Sequence, residues 1–357
     1  MSHGQRSEQV RHIITLNKHY SDEFDGANAR SNRLHYRSME NYHKIVTQCM
    51  DGRINIANAT GTPLGVFKSF RNLGGHFDLK WEKFDDAVYR SYWYHLVEEK
   101  KGSLVLITYH YSRGDEHRGC AGFHYKTDEA MRAMTALKEQ FERLYGDNTE
   151  AIIPILVGFE TDEEALIFHG DKGKPLHMAD ICYGEISELK YSLEKSFRAI
   201  FPKRPRGAIE DLCFMAMKNI EHIADVRIKK RKIEDMNHKE WIIALGRGLD
   251  WFYQPNTALI VGMYSDYPEE PISKAAGIIH DNMMSGRIDK EKGFVLLSSA
   301  SYGKENDVTF TRARERAIGY RELGIRIIKE HYPDIYPYME PLTVVTCLDN
   351  RLFKIIE

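Results

Sequence analysis

Short runs of β-branched and large apolar residues alternate with helix patterns in the first half of the chain, and this alternation strongly limits the possible folds. The runs that predict buried strands are residues 43–47, 103–109, 152–158 and 165–169. Helical spacing occupies residues 84–100 and 127–145, and Pro63 marks the start of a short predicted helix at 64–70. Strands that alternate with helices predict an α/β fold with a mainly parallel sheet and flanking helices.

The second half repeats this order. Strand-like runs at 259–263, 294–298 and 342–346 are combined with a helix pattern at 313–330, after a long region at 209–249 that is predicted to be helical. The repeated order predicts an internal duplication.

The predicted division is an N-terminal helical arm at 1–40, a first domain at 41–206 and a second domain at 207–357. When Ile45-Val46 is placed over Ile260-Val261, Tyr264 falls where Cys49 stands. The positions that face His110 and Cys120 fall near Ala300 and Val308, which cannot ligate a metal, so the second copy is expected to be degenerate.

Composition excludes several classes of function. The chain has 357 residues, a formal net charge of -2 and 42% hydrophobic residues, which gives no overall attraction to nucleic acid or anionic lipid. No apolar run approaches the ~20 residues of a membrane-spanning helix, and the first residues lack the apolar core of a signal peptide. The basic run at 227–232 has no interleaved aromatic residues and predicts a solvated helix face. We therefore expect a cytoplasmic protein that binds neither nucleic acid nor membranes.

The residues with the most chemistry follow the predicted strands. Cys49-x-Asp51-x-Arg53 comes directly after the first strand, His110 ends the second strand, and Cys120 follows a polar loop. Two thiolates and one imidazole are a donor set that suits Zn²⁺. Three protein ligands with a fourth position left to water are typical of a catalytic zinc site.

The histidine ligand has two candidates. His117 stands three residues before Cys120, whereas His110 stands at the carboxyl end of a strand, where ligands of open α/β sheets gather. We expect His110 to bind the metal and leave His117 as the alternative. Near the C-terminus, Cys347-x-Asp349-x-Arg351 repeats the spacing of the first motif, but no histidine follows it. We interpret that repeat as a coincidence.

Taken together and in this order, the motifs resemble those of the β-class carbonic anhydrases. The motifs that carry the resemblance are Cys49-x-Asp51-x-Arg53, Arg71-Asn72-x-Gly74-Gly75, His110 and Cys120. The expanded loop between His110 and Cys120 and the degenerate second half are most similar to the carboxysome shell carbonic anhydrase branch. The N-terminal region is shorter than the helical domain and disordered arm of that branch.

The resemblance implies a zinc enzyme that interconverts CO₂ and water with bicarbonate and a proton by zinc-hydroxide attack. One Zn²⁺ per chain would be held by Cys49, His110 and Cys120. Asp51 and Arg53 would be catalytic, with Arg53 holding the aspartate off the metal in the active state. The loop formed by Arg71, Asn72, Gly74 and Gly75 would bind substrate.

The resemblance also implies partners and leaves other functions open. A homodimer or higher homo-oligomer is expected. The carboxysome lumen is an alternative location, but the short N-terminal region does not support association with a carboxysome or with Rubisco. The competing functions are hydrolysis of CS₂ or COS at the same zinc site, and a non-catalytic regulatory or binding role. For proton export, His76 and His117 are candidates by their position in the sequence.

Overall fold

Two sheets with flanking helices make up the structure, which is a computed structural model. It describes residues 7–146, 151–181, 185–229, 236–249, 252, 256–303 and 308–356. The strands in these ranges are β1 (His43–Cys49), β2 (Lys68–Asn72), β3 (Ser103–Tyr111), β4 (Ile152–Glu160), β5 (Ala165–His169), β6 (Leu176–His177), β7 (Ile242–Gly246), β8 (Ala258–Val261), β9 (Phe294–Tyr302), β10 (Met339–Cys347) and β11 (Phe353–Ile355).

The first sheet has the order β2-β1-β3-β4-β5-β6. Its first four strands run parallel, and β5 and β6 are antiparallel additions. Every residue of β1 and β4 is buried. Burial of consecutive residues is typical of a parallel strand that is covered on both faces, which is why these segments read as continuous apolar runs.

The second sheet has the order β8-β7-β9-β10-β11 when it is read from its β8 edge. Four strands again run parallel, and the last strand is antiparallel. This order matches β2-β1-β3-β4-β5 strand for strand. The predicted α/β fold with two related halves is therefore confirmed.

The strand pairings also determine which residues correspond in the two halves. Both β3 and β9 have nine residues and pair along their whole length with the next strand. Lys44 pairs with the second residue of β3, and Ile242 pairs with the second residue of β9. These two residues are therefore equivalent. Cys49 and Arg247 each lie five residues further along the chain, so Arg247 occupies the position of Cys49.

This correspondence corrects the alignment made from sequence. The counterpart of β1 is β7, whereas the sequence alignment used the run that forms β8, so Tyr264 does not occupy the position of Cys49. The same count along β3 and β9 places Ser301 at the position of His110. Neither a guanidinium nor a serine hydroxyl is a usual zinc ligand, so the second half is degenerate at its equivalent site.

Helices cover both sheets. Their bounds are α1 (Glu8–Asp25), α2 (Ala27–Met39), α3 (Ile56–Ala59), α4 (Glu82–Glu98), α5 (Thr127–Tyr145), α6 (Ile186–Ile200), α7 (Arg206–Lys229), α8 (Glu269–Met284) and α9 (Val308–His331). In α5 the buried residues Ala130, Met134, Leu137 and Phe141 lie on one helical face, which packs on β3 and β4. None of the helices in the described ranges is long and apolar enough to cross a bilayer.

Helix α1 packs against the second half. Val10, Ile13 and Leu16 of α1 are buried in one cluster with Ile242 of β7 and Val295 of β9. Helix α1 therefore covers a face of the second sheet. The domain boundaries at 40 and 206 stay predictions.

The two halves are joined at the edge strands β2 and β8. Backbone hydrogen bonds cross this seam from Ile260 N to Met50 O at 2.7 Å, from Gly52 N to Ala258 O at 2.9 Å and from Gly262 N to Arg71 O at 2.9 Å. The backbone between Cys49 and Arg53 is therefore fixed by a strand of the second half.

Two predicted elements were wrong. The predicted helix at 64–70 ends in strand β2, because pairing with β1 determines its conformation more strongly than local propensity does. The predicted helical region at 209–249 contains α7, which ends at Lys229, and then strand β7. Residues 230–232 of the basic run lie outside the described residues, and Arg227 in that run forms an ion pair with Glu163.

Candidate metal centre

Three of the predicted metal ligands lie together in the structure. One donor atom each of Cys49, His110 and Cys120 lies within 4.8 Å of the donor atoms of the other two. All three residues are at least 95% buried. The arrangement provides two sulfur donors and one ring nitrogen on one side of a closed site.

The sheet positions two of these side chains. Cys49 is the last residue of β1, and His110 is the penultimate residue of the neighbouring parallel strand β3. The carboxyl ends of parallel strands lie at the same edge of a sheet, so these residues meet there. Cys120 comes back to the same edge after a loop that Asp162 secures by accepting hydrogen bonds from Ser112 Oγ and Gly114 N at 2.7–2.9 Å.

The environment of His110 fits a metal ligand. Both ring nitrogens are buried, and neither has a hydrogen-bond partner among the residues that the structure describes. A buried imidazole without partners loses its hydrogen bonds to water with no replacement, which is costly. Coordination of a metal ion by one nitrogen would remove part of this cost.

The two thiols also fit a metal site. A hydrogen bond from the Cys120 thiol lowers the pKa of Cys49 well below its usual range, although burial acts in the opposite direction. The same shared hydrogen bond raises the pKa of Cys120. The shared hydrogen bond therefore favours one thiolate in the pair, and thiolates are the form in which cysteines bind metals.

Asp51 and Arg53 form a buried bidentate ion pair. Arg53 Nη2 donates to Asp51 Oδ2 at 2.6 Å, and Arg53 Nε donates to both carboxylate oxygens at 3.0–3.1 Å. Burial raises the pKa of Asp51, but the Arg53 guanidinium lowers it by more, so this pKa lies below its usual range. The carboxylate is therefore ionised at neutral pH, and in this arrangement it is held by the guanidinium.

His238 and Glu240 of the second half hold the guanidinium from its other side. Arg53 Nη2 lies 3.0 Å from His238 Nε2, and His238 Nδ1 lies 2.8 Å from Glu240 Oε1. A guanidinium can only donate, so Nε2 accepts and the ring proton lies on Nδ1 facing the carboxylate. Burial raises the pKa of Glu240, but His238 lowers it by more. Asn282 Nδ2 also donates to Glu240 Oε2 at 3.2 Å.

Sequence reasoning missed His238 and Glu240. They precede β7 in a region that was assigned to a long helix, and their spacing matches no catalytic motif. Assignment of residues 242–246 as a strand equivalent to β1 would have been the only signal in the sequence that His238 and Glu240 lie near the site.

The loop that was predicted to bind substrate makes mainly structural contacts. Arg71 donates to the backbone oxygens of Cys49, Asp51 and Ile54 at 2.6–3.1 Å, which clamps the metal-site loop. The amide of Asn72 donates to His76 O at 2.9 Å. A role in substrate binding stays a prediction for these residues.

The two glycines of this loop allow its close packing. Gly74 and Gly75 both have positive φ, and an added Cβ at Gly74 would lie 2.5 Å from Phe123 Cε2. At Gly75 it would lie 3.0 Å from Thr108 O.

The other candidate residues lie elsewhere. His117 is exposed in a short 3₁₀ helix and contacts the Tyr125 ring, and His76 is exposed beside Trp81. Cys347 is half-buried, and within the described ranges it lies outside the cluster of Cys49, His110 and Cys120.

A small cavity of about 10 Å³ lies at the metal centre. Its lining includes Cys49, Asp51, His110 and His238 together with the apolar residues Leu73, Ala121, Leu259 and Ile278. A space of this size holds about one water-sized sphere. Leu259 and Ile278 belong to the second half, so both halves build the wall of the centre.

A comparison with family models agrees with this site. Residues 34–186 match the model described as "Carboxysome Shell Carbonic Anhydrase, catalytic domain". This match covers less than half of the chain and shows what that part of it is similar to. The resemblance to the carboxysome shell branch of the carbonic anhydrases, stated from the motifs, is confirmed for these residues.

Several solved structures are similar to the chain. The β-carbonic anhydrase CcaA is 12% identical with a TM-score of 0.32, covering 46% of this chain and 95% of its own. A carbonic anhydrase from Streptococcus mutans is 18% identical with a TM-score of 0.29, covering 46% of this chain and 99% of its own. The β-carbonic anhydrase CafA of Aspergillus fumigatus is 10% identical with a TM-score of 0.31, covering 54% and 99%. A comparison with curated proteins gave no match.

Proposed function

We propose that the chain is a zinc-dependent carbonic anhydrase that interconverts CO₂ and water with bicarbonate and a proton. The observation that carries the proposal is the cluster of Cys49, His110 and Cys120, in which neither nitrogen of the buried imidazole has a hydrogen-bond partner in the described part of the chain. Two thiolates and one neutral imidazole would hold one Zn²⁺ and leave a fourth position open.

Bound zinc would act as a Lewis acid that lowers the pKa of water from 15.7 toward ~7. The chain's own residues would then orient the reacting water. Asp51 offers an ionised carboxylate as hydrogen-bond acceptor, so that a lone pair of the water oxygen faces the carbon of CO₂. Arg53 keeps this carboxylate in place through its bidentate pair. His238 and Glu240 in turn restrict the guanidinium.

The walls of the centre support a small, uncharged substrate. Leu73, Ala121, Leu259 and Ile278 enclose it, and the cavity is closed to large molecules. Apolar walls cost CO₂ little when it leaves water, whereas they disfavour the charged product, which would help bicarbonate to leave.

We also propose that the chain forms a homo-oligomer and is cytoplasmic. Its substrate is proposed to be CO₂, with CS₂ or COS as the alternative. The deciding experiment uses the full chain loaded with zinc and measures CO₂ hydration by stopped flow beside release of H₂S from CS₂ and COS. We expect hydration that Cys49→Ser abolishes. Release of H₂S without CO₂ hydration would replace the proposed substrate, and inactivity toward all three gases with zinc bound would leave a non-catalytic role.

A further inference from the structure

A second, larger pocket lies where the degenerate half has lost its metal ligands. This pocket has a volume of about 540 Å³ and is lined by residues of both halves, among them Arg247, Gly248 and Ser301. Arg247 and Ser301 occupy the positions that correspond to Cys49 and His110. The pocket therefore stands at the carboxyl ends of β7 and β9, the edge at which parallel sheets commonly bind ligands.

The pocket is strongly basic. The lysine and arginine residues that line it are Arg37, Lys68, Arg71, Arg90, Arg247, Arg316 and Arg351. Within the part of the chain that the structure describes, no aspartate or glutamate lines the pocket. Cationic side chains that line one pocket without anions among them repel one another, and a bound anion would relieve this repulsion.

Several of these cations have no carboxylate partner among the described residues. Arg247 Nε is buried without a hydrogen-bond partner, and Lys68 and Arg316 form no ion pair there. The guanidinium of Arg247 lies over the ring of Tyr264, 4.5 Å from its centroid. Stacking of this kind fixes the plane of the guanidinium and leaves its edge available to an oxyanion.

Arg247 and Arg316 lie near the same phenol. Burial raises the pKa of Tyr320, whereas the positive charges of Arg247 and Arg316 lower it. Tyr320 also lines the pocket. Two guanidiniums, one from the end of β7 and one from α9, therefore converge on one wall.

We propose that this pocket binds a small multivalent oxyanion of the phosphate class. Guanidinium groups bind such oxyanions through paired hydrogen bonds, and a pocket of this volume has room for more than one charged group. In the second half, the cationic side chain of Arg247 stands at the position of the candidate metal ligand Cys49, so the equivalent position binds the opposite charge. The proposal depends neither on zinc nor on carbonic anhydrase activity.

The test is calorimetric titration of the full chain with inorganic pyrophosphate at constant ionic strength. We expect saturable binding, and Arg247→Gln and Arg316→Gln should each weaken it about tenfold or more, as expected for the loss of a charge-assisted hydrogen bond. Arg314→Gln is the matched control, because Arg314 is exposed on the same helix, pairs with Glu315 and does not line the pocket. Circular dichroism verifies the fold of each variant.

Further arms of the experiment locate the ligand. Cys49→Ser should bind pyrophosphate as tightly as the unmodified chain, since its substitution lies in the other centre. Loss of binding in Cys49→Ser would place the anion at the metal centre and overturn the proposal. Absence of saturable binding, equal affinity for bicarbonate, or unchanged affinity in both Arg247→Gln and Arg316→Gln would also overturn it.

Discussion

Arg53 Nη2 lies 3.0 Å from His238 Nε2, so the guanidinium that holds Asp51 is itself held by an imidazole of the other half. Both residues are at least 90% buried. The degenerate half, which has Arg247 and Ser301 at the positions of Cys49 and His110, thus contributes a side chain to the candidate metal centre of the first half.

Removal of either sulfur donor should release the metal. Cys49→Ser and Cys120→Ser each replace a thiolate by a hydroxyl, a much weaker zinc ligand, so zinc measured by elemental analysis should fall from about one per chain to near zero. Cys347→Ser is the control, since this thiol lies outside the cluster, and it should retain zinc. Full zinc content in Cys49→Ser would contradict the ligand assignment.

Removal of the charge on Asp51 should separate metal binding from turnover. Asp51→Asn retains the three ligands, so zinc should stay bound, while CO₂ hydration should slow about 10²-fold or more because the water is no longer oriented. The buried Arg53 also loses its counterion, which should cost about 3 kcal/mol of stability in urea unfolding. Asp86→Asn, at an exposed ion pair, should change neither quantity. A fully active Asp51→Asn chain would rule out the proposed role.

Substitution of His238 should lower turnover without releasing zinc. His238→Ala leaves Arg53 and Glu240 without their shared partner, and we expect kcat to fall about tenfold or more, as for other residues that orient a metal site. His238→Gln can accept from Arg53 and donate to Glu240, so it should recover part of kcat at an unchanged KM.

The control for His238 is His222→Ala. His222 pairs with Glu164, does not line the cavity at the metal centre and should leave kcat unchanged. Equal kcat in His238→Ala and the unmodified chain would remove the positioning role.

Acid should destabilise the chain through His43. Burial first, and then the stacked His95 with nearby Arg37, Lys44 and Lys68, lower the pKa of His43 well below its usual value. As the pH falls below ~6.5, the unfolded chain gains a proton that the folded chain does not take up, so this stability is present above ~6.5 and is lost in acid.

Urea unfolding at pH 7.5 and 5.5 measures this loss. His43 should contribute about 1 kcal/mol of it, and His43→Phe should reduce the pH dependence by that amount. The exposed His35→Gln is the control. An unchanged pH dependence in His43→Phe would show that another group is responsible.

The sequence predicted the long elements well and placed Cys49, His110 and Cys120 close together, for identifiable reasons. Helix α5 has its buried residues in strict helical periodicity, and strands such as β4 are continuous apolar runs bounded by polar segments. Cys49 and His110 could be placed together because both end neighbouring strands. These signals are local, or follow from one parallel pairing.

The rest depends on contacts between distant parts of the chain. Strand β2 has Lys68 and Ser69 where an apolar run would be expected, and only its pairing with β1 makes it a strand. His238 approaches Arg53 only after the two halves have packed at the seam. The basic pocket likewise collects residues from both halves, and no single stretch of sequence contains its pattern.

Arg247 at the position of Cys49 has a consequence for how such a chain can diverge. In a symmetric pair of identical subunits, each substitution occurs twice, so an arginine at this position would eliminate both metal centres at once. A single polypeptide with two copies of the fold removes that restriction, because each copy mutates alone. One copy is then free to take up a new ligand chemistry, provided that the edge strand β8 and the His238 contact are preserved.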